Sequence, residues 1–268
     1  MIDIHCHILH GIDDGPETLE ESLALCRVAA ADGVRTIVAT PHYKPGTYEW
    51  SGPKVLDAVS LLGAAARAEG LDLRILSGAE VSVFPELPSV LEAGGQLMLN
   101  QGIYFLVEFR PHAIPANSEA FLADFLKSGL VPVIAHPERN AWFVNHPEVL
   151  FPLVKRGVLL QITAASLTGG LGPQARDFSV YLLRHNLAHV IASDAHNLDD
   201  RPATLSEAVS LAADLVGEER ALTMVTTVPE AIIAGRRRMI VEPLEYGLPA
   251  EDRPASLFRR FVRRFLGD

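Results

Sequence analysis

Seven short apolar segments constrain the fold of this chain more than any other feature of its sequence. Val, Ile and Leu fill consecutive positions in them, as expected for strands that are buried on both faces of a parallel sheet. Stretches with helical spacing of apolar residues separate the segments, and this alternation predicts a parallel α/β fold. The predicted strands are Ile2–His5, Arg35–Ala39, Leu73–Ser77, Ile103–Val107, Val131–Ala135, Val158–Ile162 and Ala188–Ala192.

The clearest helix lies between the first two predicted strands. Thr18 and Glu21 form a capping box at its start, and Asp32-Gly33 closes it. Proline at or near the start of several other helices suits a first-turn position. These other helices are predicted at Pro53–Glu69, Asn117–Ser128, His146–Arg156, Pro173–His185, Pro202–Leu215 and Pro229–Gly235. Seven βα units without a break in composition favour one closed parallel barrel over a doubly wound sheet.

Histidines and carboxylates stand at or just after the ends of six of the strands. In a parallel barrel these ends meet at one mouth, where catalytic side chains gather. His5 and His7 are two residues apart on a strand and therefore share a face, while Cys6 points the other way. Either Asp13 or Asp14 reaches the same mouth from the loop that follows. The remaining candidates are His42, Glu80, Glu108, His136, Asp194 and His196.

Nine candidate ligands are too many for one metal ion and suit two or three. Their imidazole and carboxylate groups favour Mn²⁺, Fe or Zn²⁺ over an all-oxygen Ca²⁺ or Mg²⁺ site. Arg139 and Arg201 follow ligand-bearing segments, where a guanidinium group suits bidentate binding of phosphate. The alternative is that they are surface arginines paired with Glu138 or Asp200. The other histidines, including His10 and His112 beside the ligand segments, are interpreted as structural.

Composition excludes several other classes of protein. The 268 residues suffice for one large barrel or two small domains, and with 49% hydrophobic residues a sizeable core is expected. A net charge of −10 argues against a general nucleic-acid binder. Two cysteines imply no disulfide framework, and neither a membrane-spanning segment nor a signal peptide is evident. A cytoplasmic location is therefore expected.

The C-terminal segment differs from the rest of the chain. We predict a barrel domain over residues 1–245, and a linker with a basic amphipathic helix over residues 246–268. Residues 257–266 alternate pairs of apolar and basic residues, so a helix there would carry an apolar stripe and a cationic flank. Docking on the barrel is one interpretation. Contact with an anionic membrane surface or an acidic partner is the other.

The opening stretch, residues 2–15, resembles the first motif of the polymerase and histidinol phosphatase (PHP) superfamily, with its His-x-His at His5 and His7. More closely, it is similar to that of the bacterial capsule and exopolysaccharide tyrosine phosphatases. Residues 36–42, 78–81, 135–139 and 193–197 continue the resemblance, which spans about residues 1–245. Arg110-Pro111-His112 and the basic tail depart from the family's pattern.

The resemblance implies a distorted (β/α)₇ barrel with a cluster of three metal ions. We favour Mn²⁺ as the bound metal. It implies that Arg139 and Arg201 bind phosphate and that Asp14, rather than Asp13, is a ligand. The implied substrate is the phosphotyrosine tail of a bacterial tyrosine kinase that controls polysaccharide export. His42 is a candidate proton donor in the reaction. The implied metal ligands are His5, His7, Asp14, His42, Glu80, Glu108, His136, Asp194 and His196.

Three alternative functions follow from the same residues. The first, a thiol phosphatase, needs Arg six positions after its Cys. Ile12 and Asp32 stand at that offset from Cys6 and Cys26, so the sequence excludes it. Hydrolysis of histidinol phosphate, another small phosphomonoester or a nucleic-acid 3′ end would use the same barrel, although the acidic charge disfavours nucleic acid. A metal-bound module that binds phosphotyrosine without cleaving it is the non-enzymatic alternative.

Overall fold

Parallel strands form the centre of the protein. The structure is a computed structural model that describes residues 1–92, 95, 97–110, 114, 117–237 and 243–244. The predicted C-terminal segment 246–268 and His112 lie outside these residues. The strands are β1 (Ile2–Cys6), β2 (Thr36–Ala39), β3 (His42–Tyr43), β4 (Arg74–Ser77), β5 (Glu80–Ser82), β6 (Tyr104–Glu108), β7 (Val131–Ala135), β8 (Leu159–Thr163) and β9 (Val190–Ala192).

Hydrogen bonds order these strands into two parallel sheets. One sheet has the order β1-β2-β4, and the other has the order β3-β5-β6-β7-β8-β9. Only two residues separate β2 from β3 and β4 from β5, so each pair occupies one strand position. The amide of Asp194 donates to the carbonyl of His5 at 2.8 Å, and the amide of His7 donates to the carbonyl of Ala195 at 2.8 Å. Seven strand positions thus follow one another in a ring, consistent with the predicted (β/α)₇ arrangement.

A glycine is required where β4 passes into β5. A Cβ atom on Gly78 would lie 2.9 Å from Val38 Cγ1 and 3.0 Å from Leu99 Cδ2. Both distances are shorter than ordinary carbon contacts. The absence of a side chain therefore lets this segment pass close to β2 and carry Glu80 to the mouth of the ring.

The helices flank the strands in chain order. The capping box of Thr18 and Glu21 is present as predicted. The helix predicted at 146–156 is present as a 3₁₀ turn over Pro147–Val149 that is followed directly by an α-helix over Leu150–Lys155, whereas the short helix Ala141–Asn145 before it was not predicted. The helix predicted from Pro202 begins at Ser206, where the Asp32 carboxylate accepts the amide of Ser206 at 3.0 Å. The helices are α1 (Leu19–Ala31), α2 (Gly52–Ala68), α3 (Leu87–Glu92), α4 (Ser118–Ser128), α5 (Ala141–Asn145), α6 (Leu150–Lys155), α7 (Ala164–Thr168), α8 (Pro173–Arg184), α9 (Ser206–Val216), α10 (Glu218–Thr223) and α11 (Thr227–Ile233).

Apolar side chains form an inner and an outer cluster. Val38, Leu106 and Val133 belong to the cluster that the strands enclose, whereas Phe105 and Ile134 pack on the side of the helices. Pairing of β1 with β2 is irregular between Asp3 and Cys6. None of the helices in the described ranges is both long and apolar enough to cross a membrane.

Candidate metal centre

The structure brings all nine predicted ligands together at the carboxyl ends of the strands. They form four overlapping groups, and within each group the ligand atoms lie within 4.8 Å of one another. Because the groups share His5, His7, His42 and Glu80, they make one continuous cluster. The groups are His7, Asp14, His42 and His196; His5, His7 and Glu80; His5, His136 and Asp194; and His42, Glu80 and Glu108.

Glu80 is the centre of this cluster and is completely buried. Its Oε1 lies 2.8 Å from His136 Nε2. Its Oε2 lies 2.9 Å from His42 Nδ1, 3.5 Å from His5 Nε2 and 3.4 Å from His7 Nε2. One carboxylate thus faces four imidazole rings, an arrangement that suits a bridge between cations.

The distances within the cluster fit metal coordination. His5 Nε2 and His7 Nε2 are 3.1 Å apart, and Asp194 Oδ1 lies 3.3 Å and 3.5 Å from them. Neighbouring ligands of an ion with bonds of about 2.1 Å are separated by about 3.0–3.4 Å. Within the described part of the chain, the buried His196 Nε2 has no hydrogen-bonding partner. A divalent ion would satisfy this atom.

The two aspartates after β1 occupy different positions. Asp13 Oδ2 lies 2.6 Å from His7 Nδ1 and accepts the backbone amide of His42 at 2.8 Å. Asp14 Oδ1 instead faces the cluster, 3.6 Å from His42 Nε2 and 3.5 Å from His196 Nε2. The geometry agrees with the choice of Asp14 as a ligand. It makes Asp13 the group that orients His7 from outside the cluster.

Gln161 is a site residue that sequence reasoning missed. It is buried in β8, and its Oε1 lies 2.8 Å from His5 Nδ1 and 3.4 Å from the amide nitrogen of His136. The contact with Nδ1 leaves His5 Nε2 directed at the cluster. A polar residue in the middle of an otherwise apolar strand was the available signal.

Backbone conformation at two candidate ligands is unusual. His136 has φ of 29° and Asp194 has φ of 53°, values that residues other than glycine rarely adopt. Buried hydrogen bonds hold the backbone at Asp194. The Asp3 carboxylate accepts from the hydroxyl of Ser193 at 2.5 Å, and the amide of Asp194 donates to the carbonyl of His5 in β1. Such strain at the ends of two strands is typical of functional sites.

Burial and charge act against each other in the cluster. Burial alone would lower the pKa of His5, but the charges of Glu80 and Asp194 outweigh it and raise that pKa. Burial would likewise raise the pKa of Glu80, yet the nearby His5 and His136 hold it well below its usual range. Glu108 differs, because burial and then the charge of Glu80 raise its pKa. A metal ion that binds to His5 would therefore have to displace a proton that the neighbouring carboxylates favour on this ring.

Both predicted phosphate-binding arginines reach the cluster. Arg139 Nη1 contacts Asp194 Oδ2, and Arg201 Nη1 lies 3.5 Å from the same oxygen. Glu138, the alternative partner of Arg139, is buried and its Oε1 accepts the amide of Thr163 at 2.8 Å. The arginine side chains remain 32% and 22% exposed, so both are accessible to a phosphate at the mouth.

A cleft of about 430 Å³ opens beside the cluster. Asp14, His42 and Glu108 line it together with Tyr48, whose ring stacks on His42 at a centroid distance of 5.6 Å. Arg110, which departs from the expected pattern, lines this cleft and an adjoining apolar pocket of about 450 Å³. The cluster is therefore accessible to a substrate with an aromatic or apolar part.

A family model described as capsular polysaccharide synthesis, CpsB/CapC, matches residues 1–234. The chain belongs to the CpsB/CapC family. The match includes every residue of the cluster and both arginines.

Relatives that match most of this chain carry the name tyrosine-protein phosphatase. The tyrosine-protein phosphatase YwqE of Bacillus subtilis is 39% identical over 219 residues, which are 82% of this chain and 86% of YwqE. The tyrosine-protein phosphatase CpsB of Streptococcus pneumoniae is 34% identical over 87% of this chain and 98% of its own. A crystal structure from work on YwqE and CpsB as unique metal-dependent tyrosine phosphatases superposes with a TM-score of 0.87. It has 35% sequence identity and covers 92% of this chain and 100% of the solved one.

A more distant likeness concerns the fold alone. A histidinol phosphate phosphatase from Lactococcus lactis, solved with zinc, histidinol and phosphate, superposes with a TM-score of 0.55 at 16% identity. It covers 82% of this chain and 93% of that enzyme. The likeness supports the parallel α/β architecture predicted from the sequence.

Proposed function

We propose that this protein is a metal-dependent protein-tyrosine phosphatase. The main support is one observation. Nine imidazole and carboxylate side chains meet with their ligand atoms as close together as the ligands of bound metal ions, and two accessible arginines lie at the edge of this cluster. Relatives that cover most of the chain are named tyrosine-protein phosphatases. The reaction is hydrolysis of a phosphomonoester to a phenol and phosphate.

The nine side chains would hold two or three divalent ions. Bound ions of this kind lower the pKa of water from about 15.7 towards about 7 and neutralise charge on phosphoryl oxygens. The mixed donors suit Mn²⁺, which we favour, with Fe or Zn²⁺ as alternatives. Asp13 and Gln161 keep the imidazoles of His7 and His5 in their binding orientation.

The chain's own residues bind and orient the substrate. Arg139 and Arg201 grip the phosphoryl oxygens, which requires their contacts with Asp194 to be exchanged in part for contacts with phosphate. The phenyl ring lies in the cleft between Tyr48 and Phe84, both of which line it. His42, which lines the same cleft, or a bound water would donate a proton to the departing phenolate, and His42 would do so only through a ring nitrogen that is not bound to an ion. That help is modest, because a phenol has an ordinary pKa of about 10.

The substrate we propose is the phosphotyrosine tail of a bacterial tyrosine kinase in capsule or exopolysaccharide regulation, in the cytoplasm. The family's description as capsular polysaccharide synthesis supports this. An open cleft that continues into an apolar pocket suits a peptide better than a small polar ester such as histidinol phosphate.

Side-by-side turnover of three substrates tests the proposal. The protein, loaded with Mn²⁺, is given a phosphotyrosine peptide, the matching phosphoserine peptide and histidinol phosphate. We expect the highest kcat/KM for phosphotyrosine and loss of activity on chelation. A preference for histidinol phosphate would favour the small-molecule alternative, and binding of phosphotyrosine without turnover would favour the non-catalytic one.

A further inference from the structure

A second polar cavity lies at the opposite end of the strands from the metal centre. It has a volume of about 170 Å³. Its walls include Tyr104, Val131 and Leu159, the first residues of β6, β7 and β8, and His189, which directly precedes β9. Since the candidate ligands stand at the carboxyl ends of the strands, this cavity is separate from the proposed active site.

The cavity contains a guanidinium group that has no acidic partner among the residues that the structure describes. Arg220 lines it, and its Nη1 donates to Asn186 Oδ1. Among the described ion pairs none involves Arg220. Burial lowers its pKa, and no carboxylate of the described ranges counteracts this. A partly buried cation without a counter-ion is costly unless an anion accompanies it.

His189 lines the same cavity and carries a ring nitrogen without a partner among the described residues. The side chain is buried, and its Nδ1 accepts the backbone amide of Leu160 at 3.0 Å. Nδ1 therefore carries no proton in the neutral ring, and the proton resides on Nε2. Within the described residues, the buried Nε2 has no hydrogen-bonding partner. Burial and the charge of Arg220 lower the pKa of His189 to about 3, so the ring is neutral at pH 7.

Further positive charge lies at the edge of this cavity. Arg156 and Arg237 line it and are both exposed, although Arg156 also pairs with Glu119 at 2.8 Å. Other residues that line the cavity are apolar, among them Val228 and Ile232. Apolar walls reduce the local dielectric constant and strengthen the attraction of these cations for an anion.

We propose that this cavity binds a phosphate-type oxyanion between Arg220 and His189. The Arg220 guanidinium and the His189 Nε2–H donate to its oxygens, and Arg156 and Arg237 complete the positive mouth. The apolar walls allow a phosphate ester with a small apolar group as well as inorganic phosphate. Because the site is remote from the metal centre, its ligand does not compete with substrate. The inference does not depend on the proposed reaction.

Calorimetric titration of the metal-loaded protein with inorganic phosphate tests the site. We compare the wild type with Arg220→Gln and with Arg74→Gln, an exposed arginine at the first residue of β4 that does not line the cavity. The expected result is a binding phase with a dissociation constant of about 1 mM or lower. Arg220→Gln should weaken this phase at least about tenfold. Arg74→Gln should keep it, and the competitive inhibition constant of phosphate in the phosphatase assay should be the same in all three proteins.

Two outcomes would overturn the proposal. One is equal phosphate stoichiometry and affinity in the wild type and a folded Arg220→Gln variant. The other comes from the wild type alone, so a folding defect in the variant cannot obscure it. The NMR signals of the His189 ring should shift when phosphate is added, and the phosphate concentration at half of the shift should agree with the dissociation constant from calorimetry. Unchanged signals would exclude the site.

Discussion

At the scale of single residues, the metal centre depends on side chains with two separate tasks. Glu80, His136 and their neighbours present atoms to the centre, whereas Asp13 and Gln161 hold imidazole rings from behind. The presenting residues were predictable, because His, Asp and Glu at strand ends stand out in the sequence. Gln161 was not, because its role depends on which strand lies opposite His5.

Replacing His136 by Ala should abolish turnover, with kcat/KM reduced by at least about a thousandfold. The change removes a candidate ligand and leaves Glu80 Oε1 without its contact at 2.8 Å. Steady-state kinetics measures the effect, and circular dichroism checks the fold. The exposed His146 is the matched control, and His146→Ala should behave as wild type. Wild-type rates for His136→Ala would remove this residue from the site.

Replacing Asp13 by Asn should weaken metal binding by about 10–100-fold, the range typical of groups that orient a ligand. The amide keeps the size of the carboxylate but loses the charge that faces His7 Nδ1 at 2.6 Å. Metal titration followed by calorimetry gives the affinity. The exposed Asp72 provides the control through Asp72→Asn. Equal affinities in the two variants would contradict an orienting role for Asp13.

Replacing Arg139 by Ala should mainly weaken substrate and phosphate binding, raising KM and the inhibition constant of phosphate about tenfold or more. Arg139→Lys should recover part of the loss, because it keeps the charge but not the planar fork. Steady-state kinetics with phosphate as inhibitor separates the two effects. An unchanged KM and kcat in Arg139→Ala would count against its proposed role.

At the scale of secondary-structure elements, alternation of strands and helices was readable, whereas interruptions within them were not. The breaks between β2 and β3 and between β4 and β5 depend on how closely neighbouring strands approach one another, as Gly78 approaches Val38. The short helix α5, which precedes the helix predicted over 146–156, was not predicted, and it begins where Asn140 accepts the amide of Trp142 at 2.9 Å. Local propensity does not reveal contacts of this kind.

Gly78→Ala should destabilise the protein by about 1–3 kcal/mol, the usual cost of adding an atom to a filled core. The new Cβ would lie 2.9 Å from Val38 Cγ1. Gly63→Ala is the control, since it lies within α2 with 3.5 Å to its nearest neighbour and should stabilise the helix by up to about 1 kcal/mol. Urea unfolding measures both. Equal stability of the two variants would show that Gly78 and Val38 are not tightly packed.

At the scale of the whole molecule, proton and metal binding compete for the same buried cluster. Neighbouring carboxylates outweigh burial and raise the pKa values of His5, His7 and His42 above the ordinary value of about 6.5. In metal-free protein the stabilisation from these charged rings is complete below about pH 6.5, and it is lost as the pH rises through the raised values. The carboxylates with lowered pKa, Glu80 and Asp194, stabilise above about pH 4 and lose this effect on acidification.

Metal affinity should consequently rise as the pH increases from 6 to 8, since ions must displace protons from these rings. Calorimetric titration in two buffers with different ionisation enthalpies measures the number of protons released. We expect net proton release on metal binding, decreasing at higher pH. Binding without proton release over this range would contradict the raised pKa values.

In the proposed reaction, the clustered side chains hold the metal ions on which hydrolysis depends. The most direct test is titration of metal-free protein with Mn²⁺ while elemental analysis counts bound ions and a phosphotyrosine peptide reports turnover. We expect negligible activity without metal and full activity once two or three ions are bound per chain. Full activity in protein shown to be metal-free would contradict it, as would failure to bind any divalent ion.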